Sequence, residues 1–177
     1  MRICSFLLIA VMALTYKSHS VIIITDLKVS FNKTLTNISY VLVNDGVHPT
    51  LLHITMDYFF EIVKARLICS INCPENERDR GYKRQYFKTS LDFGKIFKGV
   101  FGNSITEKIG RSFLKETKIT MPVKEGRYVV YNFSLPDIIL PFGLPSRAYL
   151  HCLIDGKTKG EKKSVHGSTW EYFVKRI

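Results

Sequence analysis

Alternation of apolar and polar residues with period two runs through most of this chain. In "LLHITM" (51–56), for example, the apolar residues alternate with His53 and Thr55. Because successive side chains of a strand point to opposite faces, this pattern places one face in a core and the other in solvent. Several such segments, separated by turn signals such as Asn-Asp-Gly at 44–46, predict a mainly β protein, an antiparallel β-sandwich or cup.

The apolar phase changes once within residues 51–71. Even-numbered residues are apolar up to Ile62, and odd-numbered residues are apolar from Ala65 to Ile71. A shift by one residue turns every later side chain to the other face, so we predict a bulge or a strand break near 63–64.

The segment "SLDFGKIFKGVFGNSITEKIGRSFLK" (90–115), the insert, departs from this pattern because its apolar residues fall at helical spacing. Asp92 with Ser90 can cap a first helix, and a capping box from Ser104 to Glu107 can start a second one. We therefore predict two short helices on the sheet, either as ordinary core or as the wall of an apolar cavity. The candidate cavity residues are Phe93, Ile96, Phe97, Phe101, Ile105, Ile109 and Phe113 of the insert, with Phe142 of the Pro-rich loop 136–145.

Residues 1–20 have the pattern of a secretory signal peptide. A basic start precedes an apolar run at 3–14, and Ser18 and Ser20 occupy cleavage-site positions. That run is too short for a membrane span, although an uncleaved anchor is the alternative, and no later run has the length of a transmembrane helix. We expect residues 21–177 to form one secreted, extracellular domain.

Three Asn-x-Ser/Thr motifs fit this expectation. They begin at Asn32, Asn37 and Asn132. In a chain that enters the secretory pathway, such motifs are acceptors for N-linked glycans and should lie at the surface.

Cys69, Cys73 and Cys152 remain once Cys4 leaves with the signal peptide. An odd number permits at most one intrachain bridge. Cys69 and Cys152 both lie in phase with the apolar face of a strand, so we predict that they pair and that Cys73 is an exposed spare thiol. A bridge from Cys73 to Cys152 is the alternative. The spacing matches no zinc ligand set, and we predict no metal site.

Neither charge nor motifs indicate catalysis. The net charge of +11 suits an anionic glycan, an anionic lipid surface or an acidic receptor, or simply a solvated basic surface. No nucleic-acid-binding motif accompanies it. The chain contains no nucleophile elbow, zinc-protease motif or phosphate loop. Adjacent His151 and Cys152 would point to opposite faces of a strand. We predict no enzymatic activity and no cofactor.

Two segments carry a family resemblance. "GYKRQYFKTSLDFGKIFKG" (81–99) and "KITMPVKEGRYVVYNFSLPDIILPFGLPSRAYL" (118–150) resemble parts of an insect family of secreted proteins of unknown function. That family is similar to the ML (MD-2-related lipid-recognition) and ganglioside-activator cups. The resemblance spans most of residues 25–175 and implies a β-cup that holds a lipid or another apolar molecule. A chemosensory, reproductive or immune transport role would follow from it.

Departures from the family concern its cysteines. Gly94 and Met121 stand where two of them would be, and Val29 stands in place of an early one. The family's disulfide pairings therefore do not carry over to this chain, and the resemblance brings no catalytic residue with it.

Two functional hypotheses follow. The first is a secreted, non-catalytic protein that binds a lipid or other apolar small molecule between two sheets, with the insert as one wall. The second is a secreted interaction protein with a filled core, whose basic surface binds a receptor, an anionic glycan or a microbial envelope. A cavity between the sheets distinguishes the first from the second.

Overall fold

The computed structural model describes residues 21–116, 119–136, 139 and 144–177. Within its second helix, the side chains at 109, 112–114 and 116 are not among the features described. The predicted signal peptide lies outside the described residues, as do the candidate cavity residue Phe142 and the side chains of Ile109 and Phe113.

Eight strands and two short helices form within the described residues. They are β1 (Ile22–Phe31), β2 (Thr36–Val43), β3 (Leu51–Tyr58), β4 (Ile62–Cys73), β5 (Arg84–Asp92), α1 (Phe93–Phe97), α2 (Ser104–Glu116), β6 (Gly126–Phe133), β7 (Arg147–Thr158) and β8 (Val165–Arg176).

The strands form two antiparallel sheets that face each other across an apolar core. The larger sheet has the order β1-β8-β7-β4-β5, and the smaller sheet has the order β2-β3-β6. Inward side chains of both sheets, such as Ile24, Leu52 and Val130, are almost completely buried. This arrangement confirms the predicted antiparallel β-sandwich with a two-helix insert.

The bulge or strand break predicted near 63–64 corresponds to the point where the chain crosses between the sheets. β3 belongs to the smaller sheet and β4 to the larger one. β3 ends at Tyr58 and β4 begins at Ile62. The pairing of β4 with β7 then shifts register between Ile62 and Lys64. The break lets one apolar stretch supply inward side chains to both layers.

One side of the sandwich is closed by contacts between β1 and the smaller sheet. The Tyr40 hydroxyl donates to the carbonyl of Leu27 at 2.7 Å, and the Ile24 amide donates to Thr50 Oγ1 at 2.9 Å. On the other side, α1 contacts β4 and β5, and α2 contacts β6. The insert thus fills the gap between the edge strands β5 and β6, which explains its apolar residues at helical spacing.

Polar caps fix both helices. The Asp92 carboxylate accepts from the Gly94 amide at 2.8 Å, as predicted. The predicted cap of α2 was wrong by one residue, because Asn103 Oδ1, not Ser104, accepts from the Thr106 amide at 3.0 Å. The Thr106 hydroxyl also donates to the carbonyls of Phe101 and Asn103, which ties the interhelical connection to the first turn of α2.

The predicted Cys69–Cys152 disulfide is confirmed. The two residues lie directly opposite each other on β4 and β7, with a Cα–Cα distance of 4.2 Å. The exposure predicted for Cys73 is wrong, since this free cysteine is completely buried at the end of β4. Buried Pro74 follows it, and burial raises the pKa of its thiol.

No helix within the described residues is long and apolar enough to cross a lipid bilayer.

Candidate functional site

A cavity of about 200 Å³ lies between the two sheets. The larger sheet contributes the inner face of its last four strands, including Leu67, Phe87, Leu91, Ile154, Trp170 and Tyr172. The smaller sheet contributes Ile38, Ile54, Met56, Tyr58 and Phe133. Phe93, Ile96, Thr106 and Gly110 of the insert complete the lining at the β5–β6 side.

The lining offers an apolar surface. Among the described residues, no charged side chain lines the cavity. Its buried hydroxyls already have partners within the protein: Thr36 donates to the carbonyl of Asp57 at 2.9 Å, and Ser168 accepts from the Trp170 indole at 3.0 Å. An occupant would therefore be held by dispersion and by the hydrophobic effect rather than by charge.

Among the described residues that line the cavity, the titratable side chains are those of Tyr58 and Tyr172. Burial, with a contribution from Tyr128, raises the pKa of Tyr58 to about 12. Burial also raises the pKa of Tyr172 well above its ordinary value. Both phenols are therefore neutral at physiological pH and do not give the cavity a charge.

The middle of the larger sheet is incompletely covered on its inner face. Leu67 and Cys69 on β4, and Cys152 and Ile154 on β7, are only partly buried although they point inward. Their neighbours toward the sheet end, such as Leu150, are almost fully buried. The cavity lies over this uncovered patch, and the disulfide forms part of its floor.

Gly110 lets the two helices of the insert approach each other. A Cβ built at this position would lie 2.4 Å from the ring of Phe101 and 3.6 Å from Ile96 Cγ2. The ring is buried, and the Arg111 guanidinium stacks over it at 5.4 Å from the centroid. Phe101 thus wedges α1 against α2.

The predicted cavity residues divide into two groups. Phe93 and Ile96 line the cavity. Phe97 and Ile105 pack against the core while partly exposed, and Phe101 is buried in the insert, so none of these three is among the lining residues. Sequence reasoning did not single out the lining residues of the strands, such as Leu67 and Tyr172. Period-two alternation places them inward, but it carries no signal for an unfilled space opposite them.

The glycosylation motifs lie at the surface to different degrees. Asn37 and Asn132 are exposed and Asn32 is partly buried. Asn132 lies where the register of β6 against β3 shifts, and its φ is 56°. Its backbone N–H donates to His53 Nδ1 at 3.2 Å. This bulge turns Tyr131 outward and Phe133 inward. Strict alternation would place Tyr131 and Phe133 on one face of β6, whereas Tyr131 is exposed and Phe133 is buried.

An Asp-His-Thr chain of hydrogen bonds lies on the outside of the larger sheet. Asp155 Oδ1 is 3.2 Å from His166 Nδ1, and Thr169 Oγ1 is 2.9 Å from His166 Nε2. The order of groups is that of a hydrolase triad. None of the three residues lines the cavity, and His166 is exposed. The described residues contain no group of three or more His, Cys, Asp or Glu side chains placed to hold a metal ion.

Comparison of the chain with models of known protein families and with functionally characterised proteins finds no match.

Proposed function

We propose that this protein binds a small apolar molecule in the cavity between its sheets and performs no catalysis. The observation that carries the proposal is the cavity itself, which is predominantly apolar in its described lining and walled by the insert. Apolar concave sites with few polar groups are the usual sites for small ligands. The resemblance to lipid-recognition cups points to the same class of ligand.

The volume narrows the class of ligand. An engineered apolar cavity of about 150 Å³ remains dry and binds benzene. Pockets for drug-sized molecules span roughly 300–1,000 Å³. At about 200 Å³ the cavity lies between these values. It therefore suits a small hydrocarbon-like molecule or part of one acyl chain, rather than a whole phospholipid.

Secretion is part of the proposal. The leader pattern of residues 1–20, the three glycan acceptor motifs and the Cys69–Cys152 disulfide all suit an oxidising, extracellular compartment. A role as a chemosensory or transport carrier rests on the family resemblance alone. The filled-core alternative is less well supported because it requires that no cavity remain between the sheets.

Ligand uptake tests the proposal directly. Native mass spectrometry and displacement of a fluorescent apolar probe should show one molecule bound per chain, with medium-length fatty acids and hydrocarbons as competitors. Thr89→Phe on β5 places a ring in the cavity and should weaken uptake by about tenfold or more. Thr55→Phe, the same substitution on β3 outside the cavity lining, is the matched control. No uptake by the unaltered protein, or equal uptake by both variants, would contradict the proposal.

A further inference from the structure

The connection between β3 and β4 exposes two adjacent phenylalanines. Phe59 is 43% exposed and Phe60 is 51% exposed, and Val63 beside them is 40% exposed. Within the described part of the chain no other phenylalanine is as exposed. An adjacent pair of exposed aromatic rings at the tip of a connection is a patch that needs an explanation.

Three further segments are attached to this tip by backbone hydrogen bonds. The Phe59 amide donates to Leu35 in the β1–β2 connection at 3.0 Å. The Ile62 amide donates to Val123, ahead of β6, at 2.8 Å. The Lys159 amide donates to the carbonyl of Glu61 at 3.0 Å and brings the β7–β8 connection alongside. Together, residues 32–35, 59–64, 121–125 and 159–164 form what we call the lysine-rich end.

Charge at the lysine-rich end is strongly positive. Its four segments contain six exposed lysines against three glutamates; the lysines are Lys33, Lys64, Lys124, Lys159, Lys162 and Lys163. The negative charge of Glu61 is already ion-paired within this end, since its carboxylate lies 2.8 Å from Lys124 Nζ and 3.6 Å from Lys159 Nζ. Among the described residues, Lys33, Lys64, Lys162 and Lys163 form no ion pair.

We propose that the lysine-rich end docks onto an anionic phospholipid surface, with Phe59 and Phe60 entering the bilayer interface. Aromatic rings flanked by flexible lysines match such a surface. The rings leave water for the acyl boundary while the ammonium groups remain among the anionic head groups. Hydrophobic and electrostatic contacts then act at the same place, and both are needed for stable binding.

The lysine-rich end lies next to the cavity, so docking of this end would also place the cavity close to the bilayer. Tyr58 and Ile62, which flank the tip, line the cavity. A surface depression lined by Lys33, Phe59 and Arg127 shares Thr36 and Tyr58 with the cavity. Docking would bring this edge of the cavity to the depth of the acyl chains. Transfer of an apolar ligand between the bilayer and the cavity at this edge rests on the proposed function, whereas docking itself does not require a ligand.

Vesicle co-sedimentation tests docking without any added ligand. The full secreted protein should bind vesicles containing about 30% phosphatidylserine at about 0.15 M salt, and bind pure phosphatidylcholine far more weakly. Replacing both Phe59 and Phe60 with Ser should reduce binding by at least about tenfold. Lys162→Glu combined with Lys163→Glu should reduce it similarly and weaken its dependence on salt.

Matched controls lie at the opposite end of the sandwich. Val47→Ser removes a side chain that is 64% exposed in the β2–β3 connection, and Arg78→Glu reverses a charge in the β4–β5 connection. Neither should change vesicle binding. In Phe60→Trp, tryptophan emission should shift to shorter wavelength with anionic vesicles. No binding to anionic vesicles, or equal losses in the control and tip variants, overturns the proposal.

The glycan motif at Asn32 provides an independent check, because it lies at the same end. A glycan there would hold part of the end away from a bilayer, so Asn32→Gln should bind anionic vesicles at least as tightly as the glycosylated protein. Binding by the Asn32→Gln variant alone, with none by the glycosylated protein, overturns docking for the secreted protein. Retained docking with absent ligand uptake would leave the proposed function, and not docking, contradicted.

Discussion

At the scale of single residues, Gly110 shows how one missing side chain shapes the insert. An added methyl group would lie 2.4 Å from a ring of Phe101 that is only 5% exposed and therefore cannot simply rotate into solvent. Alanine favours a helix interior over glycine by about 1 kcal/mol. Overpacking a buried site typically costs about 1–3 kcal/mol. The balance of these two terms decides the sign of the effect.

We expect Gly110→Ala to destabilise the protein by about 1 kcal/mol, because the clash outweighs the gain in helix propensity. Urea unfolding followed by circular dichroism measures the change. Lys108→Ala in the same helix, at an exposed position, is the control and should stay within about 0.5 kcal/mol of the parent. A stabilised Gly110→Ala variant would show that Phe101 is free to move and does not wedge the helices.

At the scale of elements, the sequence predicts strands and helices far better than it predicts the cavity. Alternation in β3 and β4 and the helical spacing after Asp92 are local signals, and the structure follows them. The bulge at Asn132 depends on a left-handed backbone conformation that alternation does not encode. Phe101 was expected at the cavity wall, but Gly110 makes room for it between the helices. Whether an inward side chain meets a neighbour or an empty space depends on the opposite layer, which is remote in sequence.

The disulfide is the covalent link between two central strands of the larger sheet. It joins residues separated by 83 positions, and in the entropic account a bridge closing such a loop stabilises the fold by about 4–5 kcal/mol. Replacing Cys69 and Cys152 with Ala together should therefore lower the free energy of unfolding by several kcal/mol, as measured by urea denaturation under non-reducing conditions. Cys73→Ala leaves the bridge intact and should cost clearly less. Equal losses in the two variants would show that the bridge adds little beyond packing.

At the scale of the whole molecule, carboxylates and phenols set opposite limits on stability as pH changes. Hydrogen bonds from Ser146 lower the pKa of Glu77, and Arg127 lowers the pKa of Asp57. A lowered folded-state pKa gives stability that is present above the unfolded value, 4.5 for a glutamate, and is lost as pH falls. Because Glu77 is exposed and Asp57 is only partly buried, this acid loss should be small. The phenols act at the alkaline limit: Tyr58 and Tyr172 line the cavity, and Tyr149 lies outside that lining, beside Glu171.

We expect the larger loss of stability on the alkaline side. Burial raises the pKa of Tyr58 and of Tyr149 to about 12, with a hydrogen bond to Glu171 contributing at Tyr149, and burial raises that of Tyr172 further. A raised folded-state pKa gives stability that is complete below the ordinary value of 10.0 and is lost as pH rises toward the folded value. Urea midpoints should be flat from about pH 5 to pH 9 and fall steeply above that range.

Tyr172→Phe keeps the ring in the cavity lining but removes the ionisable group, so its midpoint should fall less between neutral and alkaline pH than that of the parent. Tyr86→Phe, at an exposed position, should follow the parent curve. An alkaline decline that Tyr172→Phe leaves unchanged would show that ionisation at the cavity does not limit the stability of the fold.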